Sequence, residues 1–456
     1  MSIENNFVIN AKKSIKDALI KIDKNKKGII IAEDDQGVAL GIATDGDIRR
    51  YLIEHSLAHN INEVINRDFV YATSETPREE VLKKLDQKIK AIPILDKKRK
   101  VIDIITSDNF PLSKEQSLYY RARSPVRVSF GGGGSDLTHF FEKHGGAVIN
   151  ATLSIYSHAT LRIRNDGEIH IYSKDLDDSI ILEDIEAHLK NEKEFGLILA
   201  VIRTIKPDFG FDLYLYSDYP KNSGLGGSAV VSASILGCFN QLRRDQWTKI
   251  EIAELAFQAE RIYLDIAGGW QDQYATTMGG FNFMEFKASG NLIHPVRLNA
   301  DIIRELEESL VLCDSGSAHD SGEIHKNQKE NLVSDADITK RVKENTLLTY
   351  QMREDLLRGE LLSFGKKMDK AWELKRSFSK KISNSYLDSI YNDAKENGAM
   401  GGKLLGAGGG GFFLFFVPPE RKLDLLHALS DRDLKTMPFI FDERGLTSWR
   451  VREQRN

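Results

Sequence analysis

The chain has two cysteines in 456 residues, ten prolines and no excess of either charge. Cys238 and Cys313 lie among apolar neighbours, with no second Cys or His at metal-ligand spacing, which excludes a disulfide scaffold or a zinc knuckle and leaves two reduced core thiols. Lys and Arg number 63 against 67 Asp and Glu, a net charge of −4, so nothing drives sequence-independent capture of a phosphate backbone. Nucleic acid is not an expected partner. Apolar runs are short: even Phe412 to Val417 falls far below the roughly 18 residues that a membrane span needs. Met1 to Lys27 carries acidic and polar residues throughout, so a cytoplasmic protein without membrane contact is expected. Hydrophobic residues at 41% and charged residues at 29% exclude general disorder. At roughly 150 residues per domain, the length suggests about three domains, or two of unequal size.

The first hundred residues contain a repeat. Ser14-Ile-Lys-Asp17 has the capping-box pattern that opens a helix, and Thr76-Pro77-Arg-Glu79 repeats it 62 residues later with Pro at the first helical position. The run Val38 to Ala43 leads into Thr44-Asp-Gly-Asp47, and Val101 to Ile105 leads into Thr106-Ser-Asp-Asn109 at the same offset. Each unit reads as helix, short apolar strand (Gly28 to Ile31; Ala91 to Ile94), turn, strand and a polar step into a helix. This pattern resembles a tandem pair of CBS modules, with repeats at about 1–60 and 61–116. The resemblance implies that Thr44, Asp47, Thr106 and Asn109 contact the ribose or phosphate of a regulatory nucleotide. The second unit lacks a counterpart of Gly41, and these side chains can equally cap the helices that follow them. Pro111 to Tyr120 read as a polar connector.

Three glycine-rich segments follow. In the first, the apolar strand Ser124-Pro-Val-Arg127-Val-Ser-Phe breaks into Gly131-Gly-Gly133-Gly134-Ser135-Asp136, where absent side chains admit a ligand to the backbone and a carboxylate can accept from sugar hydroxyls. In the second, strand Phe211 to Tyr216 leads through Pro220-Lys-Asn-Ser223-Gly224-Leu225-Gly226-Gly227-Ser228-Ala229 into a helix of small residues reaching about Leu242. Backbone N–H groups at such a helix start form an anion cradle. Gly224, Gly226 and Ala229 also fit the dinucleotide pattern G-x-G-x-x-A, but the tight strand-to-helix turn it requires is missing, with Pro220 among the intervening residues. A P-loop is excluded, because neither Lys221 nor Lys403 stands in its frame. The third segment, Gly401-Gly-Lys403-Leu-Leu-Gly406-Ala-Gly408-Gly409-Gly-Gly411, runs into Phe412-Phe-Leu-Phe-Phe, a buried strand. It reads as a bare wall packed on the anion loop or the substrate. Between the second and third segments, apolar residues at 252, 255, 256, 259, 262 and 263 predict a core-facing helix with Glu260 near its buried face, ended by Gly268-Gly269 before Trp270-Gln271-Asp272.

In order, these segments resemble the three motifs of the GHMP kinase superfamily over roughly Arg121 to the C-terminus, and among its members the D-glycero-D-manno-heptose 7-phosphate kinases in particular. The phrase Gly268-Gly-Trp-Gln-Asp272-Gln also resembles L-fucose kinases. The resemblance implies an α+β fold: a ribosomal-protein-S5-like half at 121–300 and a ferredoxin-like half at 301–456, behind the α/β CBS pair at 1–116. It implies an ATP- and Mg²⁺-dependent sugar 1-kinase. Pro220, Ser223, Gly224, Leu225, Gly226, Gly227 and Ser228, with Gly408 and Gly409, would bind ATP; Ser228 and Glu260 would hold Mg²⁺. Asp272 would take the proton from the attacking hydroxyl, and Arg127 would polarise that hydroxyl or steady developing charge. Gly133, Gly134, Ser135 and Asp136 would bind the sugar. Gly227 stands where many relatives have Ser. Arg123, Lys143, Lys174 and Lys403 are candidates for a second anion site, Asp314 to His325 reads as a lid or a solvated loop, and paired CBS modules imply a homodimer. A catalytically silent sugar or nucleotide sensor is the competing reading.

Overall fold

A computed structural model describes residues 6–85, 89–106, 116–182, 194–317, 324 and 336–453. The chain forms two compact units, Met1–Gln116 with Glu453–Asn456, and Ser117–Arg452. The expected residue Asn109 and most of the segment from Asp314 to His325 lie outside the described residues.

The first unit contains β1 (Val8–Asn10), α1 (Ile15–Asn25), β2 (Ile29–Glu33), β3 (Ala39–Thr44), α2 (Asp45–Tyr51), β4 (Ala72–Thr73), α3 (Arg78–Lys84), β5 (Ala91–Leu95) and β6 (Val101–Thr106). Its two three-stranded sheets, β1-β2-β3 and β4-β5-β6, share order and strand direction. Even their bulges, at Ala32/Glu33 and Ile94/Leu95, keep the offset of 62. Ile29, Ile31 and Ala39 of one repeat pack with Ala91, Leu95 and Val101 of the other, so neither half closes its core alone.

Ser14 opens α1 with the expected capping box. The second repeat differs: Pro77 itself occupies the N-cap of α3, and Thr76 Oγ1 instead accepts from Thr73 N. Thr44 caps α2, its Oγ1 accepting from Asp47 N (3.2 Å) while Asp47 Oδ2 accepts from Thr44 N (2.9 Å). A methyl group at Gly41 would lie 2.6 Å from Asn66 O, so close strand packing already accounts for that glycine.

The second unit is built on an eight-stranded sheet. Its strands are β7 (Gln116–Gly131), β8 (Gly146–Ile163), β9 (Ile169–Ser173), β10 (Asp178–Leu182), β11 (Phe211–Ser217), β12 (Phe281–Lys287) and β13 (Gly290–Pro295), in the order β10-β9-β11-β8-β12-β13. β7 lies against β8, and the final strand, described below, lies on β7. β7 starts within the expected connector because its first turns still find sheet partners, Tyr120 opposite Leu161 among them. Its helices are α4 (Thr138–His144), α5 (Gly196–Ile205), α6 (Gly227–Asn240), α7 (Lys249–Gln258) and α8 (Gln271–Met278).

After α9 (Ala300–Ser309), the chain runs through β14 (Leu310–Asp314), α10 (Ala336–Arg358), α11 (Leu361–Arg376), α12 (Ser385–Glu396), β15 (Gly401–Leu404), β16 (Phe412–Phe416), α13 (Lys422–Ser430) and β17 (Thr436–Met437). The sheet order β15-β16-β14-β17, with helices after its first and third strands, is the ferredoxin-like βαββαβ arrangement. β18 (Thr447–Glu453) then leaves this half and pairs with β7. The segment 301–456 is therefore not one subdomain: its last strand belongs to the eight-stranded sheet.

Phe130 joins the two halves. It is fully buried, parallel to Phe281 (centroids 6.3 Å apart) and edge-on to Phe364 of α11 at 5.3 Å. Around it, Val126, Val128 and Ile149 meet Met352, Leu405, Phe412 and Leu414 in one core. Phe130→Ala removes an aromatic ring from that junction and is expected to cost about 3–5 kcal/mol, read as a lower urea midpoint at unchanged m-value.

Candidate active site

The second glycine segment enters α6 through residues with positive φ, Gly224 at 74° and Gly226 at 83°. Leu225 between them is fully buried, its side chain anchoring the loop in the core, and its carbonyl accepts from Arg127 N at 3.2 Å. The α6 N-terminus starts at Gly227, so its free N–H groups face the cleft as an anion cradle. Gly227 packs on Tyr219, whose Cε2 would be 3.2 Å from a methyl group there, which gives the missing Ser a steric reason.

The third segment crosses this loop at backbone distance. A methyl group on Gly224 would sit 2.7 Å from Leu405 O, one on Gly406 would sit 2.6 Å from Gly224 Cα, and Phe412 N donates to Ser223 O at 3.0 Å. Only residues without side chains can cross so closely. Gly406 and Ala407 line the cleft. Gly408 and Gly409 do not: they are buried on Ile382, with Gly409 N donating to Ile382 O at 2.8 Å, and are corrected from ATP ligands to supports of the wall. Pro220 is an exposed turn residue, and its neighbours Tyr219, Lys221 and Asn222 line the cleft instead.

Beneath Gly226 lies the acid–base pair. Arg127 Nε donates to Asp272 Oδ1 (2.7 Å) and Nη2 to Oδ2 (2.6 Å), while Nη1 donates to Gly224 O (2.6 Å). Its side chain is 4% exposed and that of Asp272 is 28% exposed. Arg127 thus holds Asp272 and the loop. A methyl group at Gly226 would lie 3.2 Å from Asp272 Oδ2, so the anion cradle and the carboxylate are immediate neighbours.

Glu260 reaches the cleft through an irregularity. The helix predicted to run to Tyr263 is α-helical only to Gln258, and Ala259–Tyr263 form a π turn. The wider turn advances the register, so Glu260 faces inward at 1% exposure while Ile262, expected in the core, is 68% exposed. Glu260 Oε2 accepts from Ser228 Oγ and from Arg261 Nη1, both at 3.1 Å, and Oε1 accepts from Gln273 Nε2 at 3.2 Å. Burial raises its pKa, opposed first by the Arg261 charge. The hydroxyl of exposed Ser228 beside this carboxylate is a hard-oxygen donor set that suits Mg²⁺ shared with phosphates.

At the first glycine segment, Asp136 is held by N–H groups of Gly134 (3.2 Å) and Gln271 (3.3 Å), and burial together with the nearby Asp272 charge pushes its pKa up. A methyl group at Gly269 would fall 1.8 Å from Asp136 Oδ2, so the glycine pair before Trp270 makes room for this acid. Ser135 is a correction: it is fully buried, its Oγ donates to Gly132 O (2.7 Å) and accepts from Ala147 N (3.1 Å), and it pins the loop to β8 rather than meeting sugar. Gly133 is the open position, where an added methyl group meets nothing within 4 Å.

Arg123 lies over the Tyr156 ring at 4.6 Å, and Lys143 and Lys174 are solvent-exposed. Lys403 is buried. Residues not expected from sequence are Arg261, Gln273, Lys375 and the apolar end of the 370 Å³ cleft, formed by Leu176, Ile198, Leu215 and Val231. Lys375 sits in the basic last turn of α11, where charge is usually solvated, so no pattern marked it.

The profile of the GHMP kinases N terminal domain matches residues 195–280, and that of the GHMP kinases C terminal region matches 352–432. A D-glycero-alpha-D-manno-heptose 7-phosphate kinase of Campylobacter jejuni is 36% identical over 339 residues, which cover 73% of this chain and 99% of that protein. The chain belongs to the GHMP kinase family. Among solved GHMP kinase folds, a D-glycero-D-manno-heptose 1-phosphate kinase from Bacteroides thetaiotaomicron superposes with a TM-score of 0.61 at 29% identity, covering 73% of this chain and 99% of that one. A bifunctional fucokinase/GDP-fucose pyrophosphorylase of Arabidopsis thaliana is more distant, 26% identical over 62% of this chain and 28% of its own length. The CBS domain profile matches residues 61–110, within the second N-terminal repeat. Among the described residues no helix is long and apolar enough to cross a membrane.

Arg127→Lys keeps the charge and loses the two-pronged grip. We expect kcat to fall at least tenfold with the KM for ATP changed less, because a lysine cannot hold Asp272 in one orientation through two parallel hydrogen bonds. An unchanged kcat would show that the two-pronged grip does not matter to turnover.

Proposed function

We propose that this GHMP kinase transfers the terminal phosphate of ATP to the anomeric hydroxyl of a sugar that already carries a phosphate, D-glycero-D-manno-heptose 7-phosphate, for nucleotide-activated heptose synthesis. The observation that carries the reading is Asp272, clasped by Arg127 and set directly below Gly226 of the anion cradle. The sugar is the one named for the Campylobacter relative.

In this reading the nucleoside lies toward Leu176, Ile198 and Leu215, and the phosphates lie on the N–H groups from Gly224 to Ser228. The anomeric oxygen attacks the terminal phosphorus, the bond to the bridging oxygen of ADP breaks, and the hydroxyl proton passes to Asp272. Arg127 keeps that carboxylate oriented, and Asp136 with the backbone at Gly133 and Gly134 orients the sugar. Mg²⁺, held by Ser228 and Glu260, would neutralise triphosphate charge when bound. Such transfer needs mainly positioning and charge neutralisation, and those are the capacities this cleft offers.

The phrase from Gly268 to Gln273 favours L-fucose as a second acceptor to test. A silent sensor is disfavoured, because Ser228, Glu260 and Asp272 all line one cleft. For the N-terminal unit we propose that a nucleotide binds near Thr44 and Asp47, and near Thr106 and Asn109, and tunes the kinase as a homodimer. Deleting residues 1–115 should abolish any nucleotide effect on rate.

The test is coupled ATP consumption with heptose 7-phosphate, free heptose and L-fucose. Turnover should be fastest with the heptose phosphate, and nucleotide binding without turnover of any sugar would favour the sensor. Asp272→Asn should lower kcat by about 10² to 10⁴ with the KM for ATP nearly unchanged. Retained turnover in that variant would remove Asp272 as the base.

A further inference from the structure

Lys403 is 2% exposed, and its side chain forms no hydrogen bond or ion pair among the described residues. Its place on β15 explains where it points. Gly401, two residues earlier on the same strand face, presses on α11, where a methyl group would be 2.2 Å from Gly365 O and 2.8 Å from Asp369 N. Side chains alternate along a strand, so Lys403 also runs along α11, toward the end that carries Lys375. Lys375 is likewise buried and donates through Nζ to Gly406 O. Gly406 is the residue that crosses Gly224, and Gly224 O accepts from Arg127. One peptide crossing therefore separates both lysines from the reacting centre.

The charges do not balance. The charged neighbours of Lys403 are Lys375, Arg127 and Asp136, and those of Lys375 include Arg127, Asp136 and Asp272. Arg127 is matched by Asp272 in a two-pronged pair. Asp136 is biased toward its neutral form by burial. Among the described residues neither buried amine has an unshared opposite charge beside it, and burial with the neighbouring cations holds both toward their neutral forms, a cost that a bound anion would remove. Neither lysine lines the described cleft, whereas both neighbour Asp136, the acid that the kinase reading gives to the sugar.

We propose that Lys375 and Lys403 form an anion subsite for the phosphate that the acceptor sugar already carries, so that this pair selects a phosphorylated acceptor over a free one. The inference rests on the kinase reading above. A phosphate dianion matches two protonated lysines in charge, and its arrival would give both buried amines the counter-charge that their surroundings lack.

Burial lowers Lys375 to about 8, with the Arg127 charge acting in the same direction and Asp136 and Asp272 opposing it; burial, Lys375 and Arg127 likewise lower Lys403. An anion between them reverses the effect. Binding of the sugar phosphate should then take up protons at pH 9, where the phosphate itself is already a dianion.

The test compares Lys403→Met, which keeps length and loses charge, with wild type on heptose 7-phosphate and free heptose. The variant is expected to raise the KM for the phosphorylated sugar at least tenfold while leaving the KM for ATP and the efficiency on free heptose unchanged. Equal losses on both sugars, a raised KM for ATP instead, or no loss at all would overturn the subsite. Titration calorimetry of the wild-type protein at pH 9, in two buffers of different ionisation enthalpy, requires no variant: proton uptake with heptose 7-phosphate but not free heptose supports the subsite, and no uptake overturns it. Wild-type turnover of free sugars alone would instead overturn the kinase reading, and the subsite with it.

Discussion

The site depends on a single guanidinium. Arg127 sits on the strand before the first glycine segment, yet its three engaged donors reach Asp272 at the start of α8 and Gly224 in the anion loop, while its own N–H donates to Leu225 O. Three stretches of chain are fixed relative to one another through this residue, whose planar fork matches a carboxylate. Lysine in its place could neutralise Asp272 but could not orient it.

Around that group the glycines follow from distance. The anion loop and the third segment approach until Gly224 and Gly406 touch backbone to backbone, and Gly226 and Gly269 leave room for the carboxylates of Asp272 and Asp136. These contacts hold the ferredoxin-like half against the eight-stranded sheet at its chemically active edge, and the Phe130 cluster holds it from behind. Stability and catalysis therefore share an interface. Substitutions there will disturb both, whereas changes in the outer helices will disturb neither strongly.

Much of this was legible in the sequence because glycine spacing records close approach. Ser228, Glu260, Asp272 and Arg127 were all marked and do line one cleft. Three features were not legible. The π turn at Glu260 violates the 3.6-residue period from which its helix was read, and it placed Ile262 outside. The hydroxyl of Ser135 looked like a sugar ligand but is consumed by backbone partners, a difference that only long-range pairing with β8 decides. β18 returns to β7 from the far end of the chain, and no local pattern announces a non-local strand pair. Lys375 and Lys403 carry the broader lesson that a lysine in a basic helix end, or one beside glycines, does not reveal from sequence that it is buried.

The account stands on Asp272 being the group that meets the reacting hydroxyl. A crystal structure with a non-hydrolysable ATP analogue and heptose 7-phosphate tests this most directly. It should place the anomeric oxygen within hydrogen-bond distance of the Asp272 carboxylate and in line with the terminal phosphate resting on residues Gly224 to Ser228. An anomeric oxygen turned away from Asp272, with another side chain positioned to take its proton, would contradict the account.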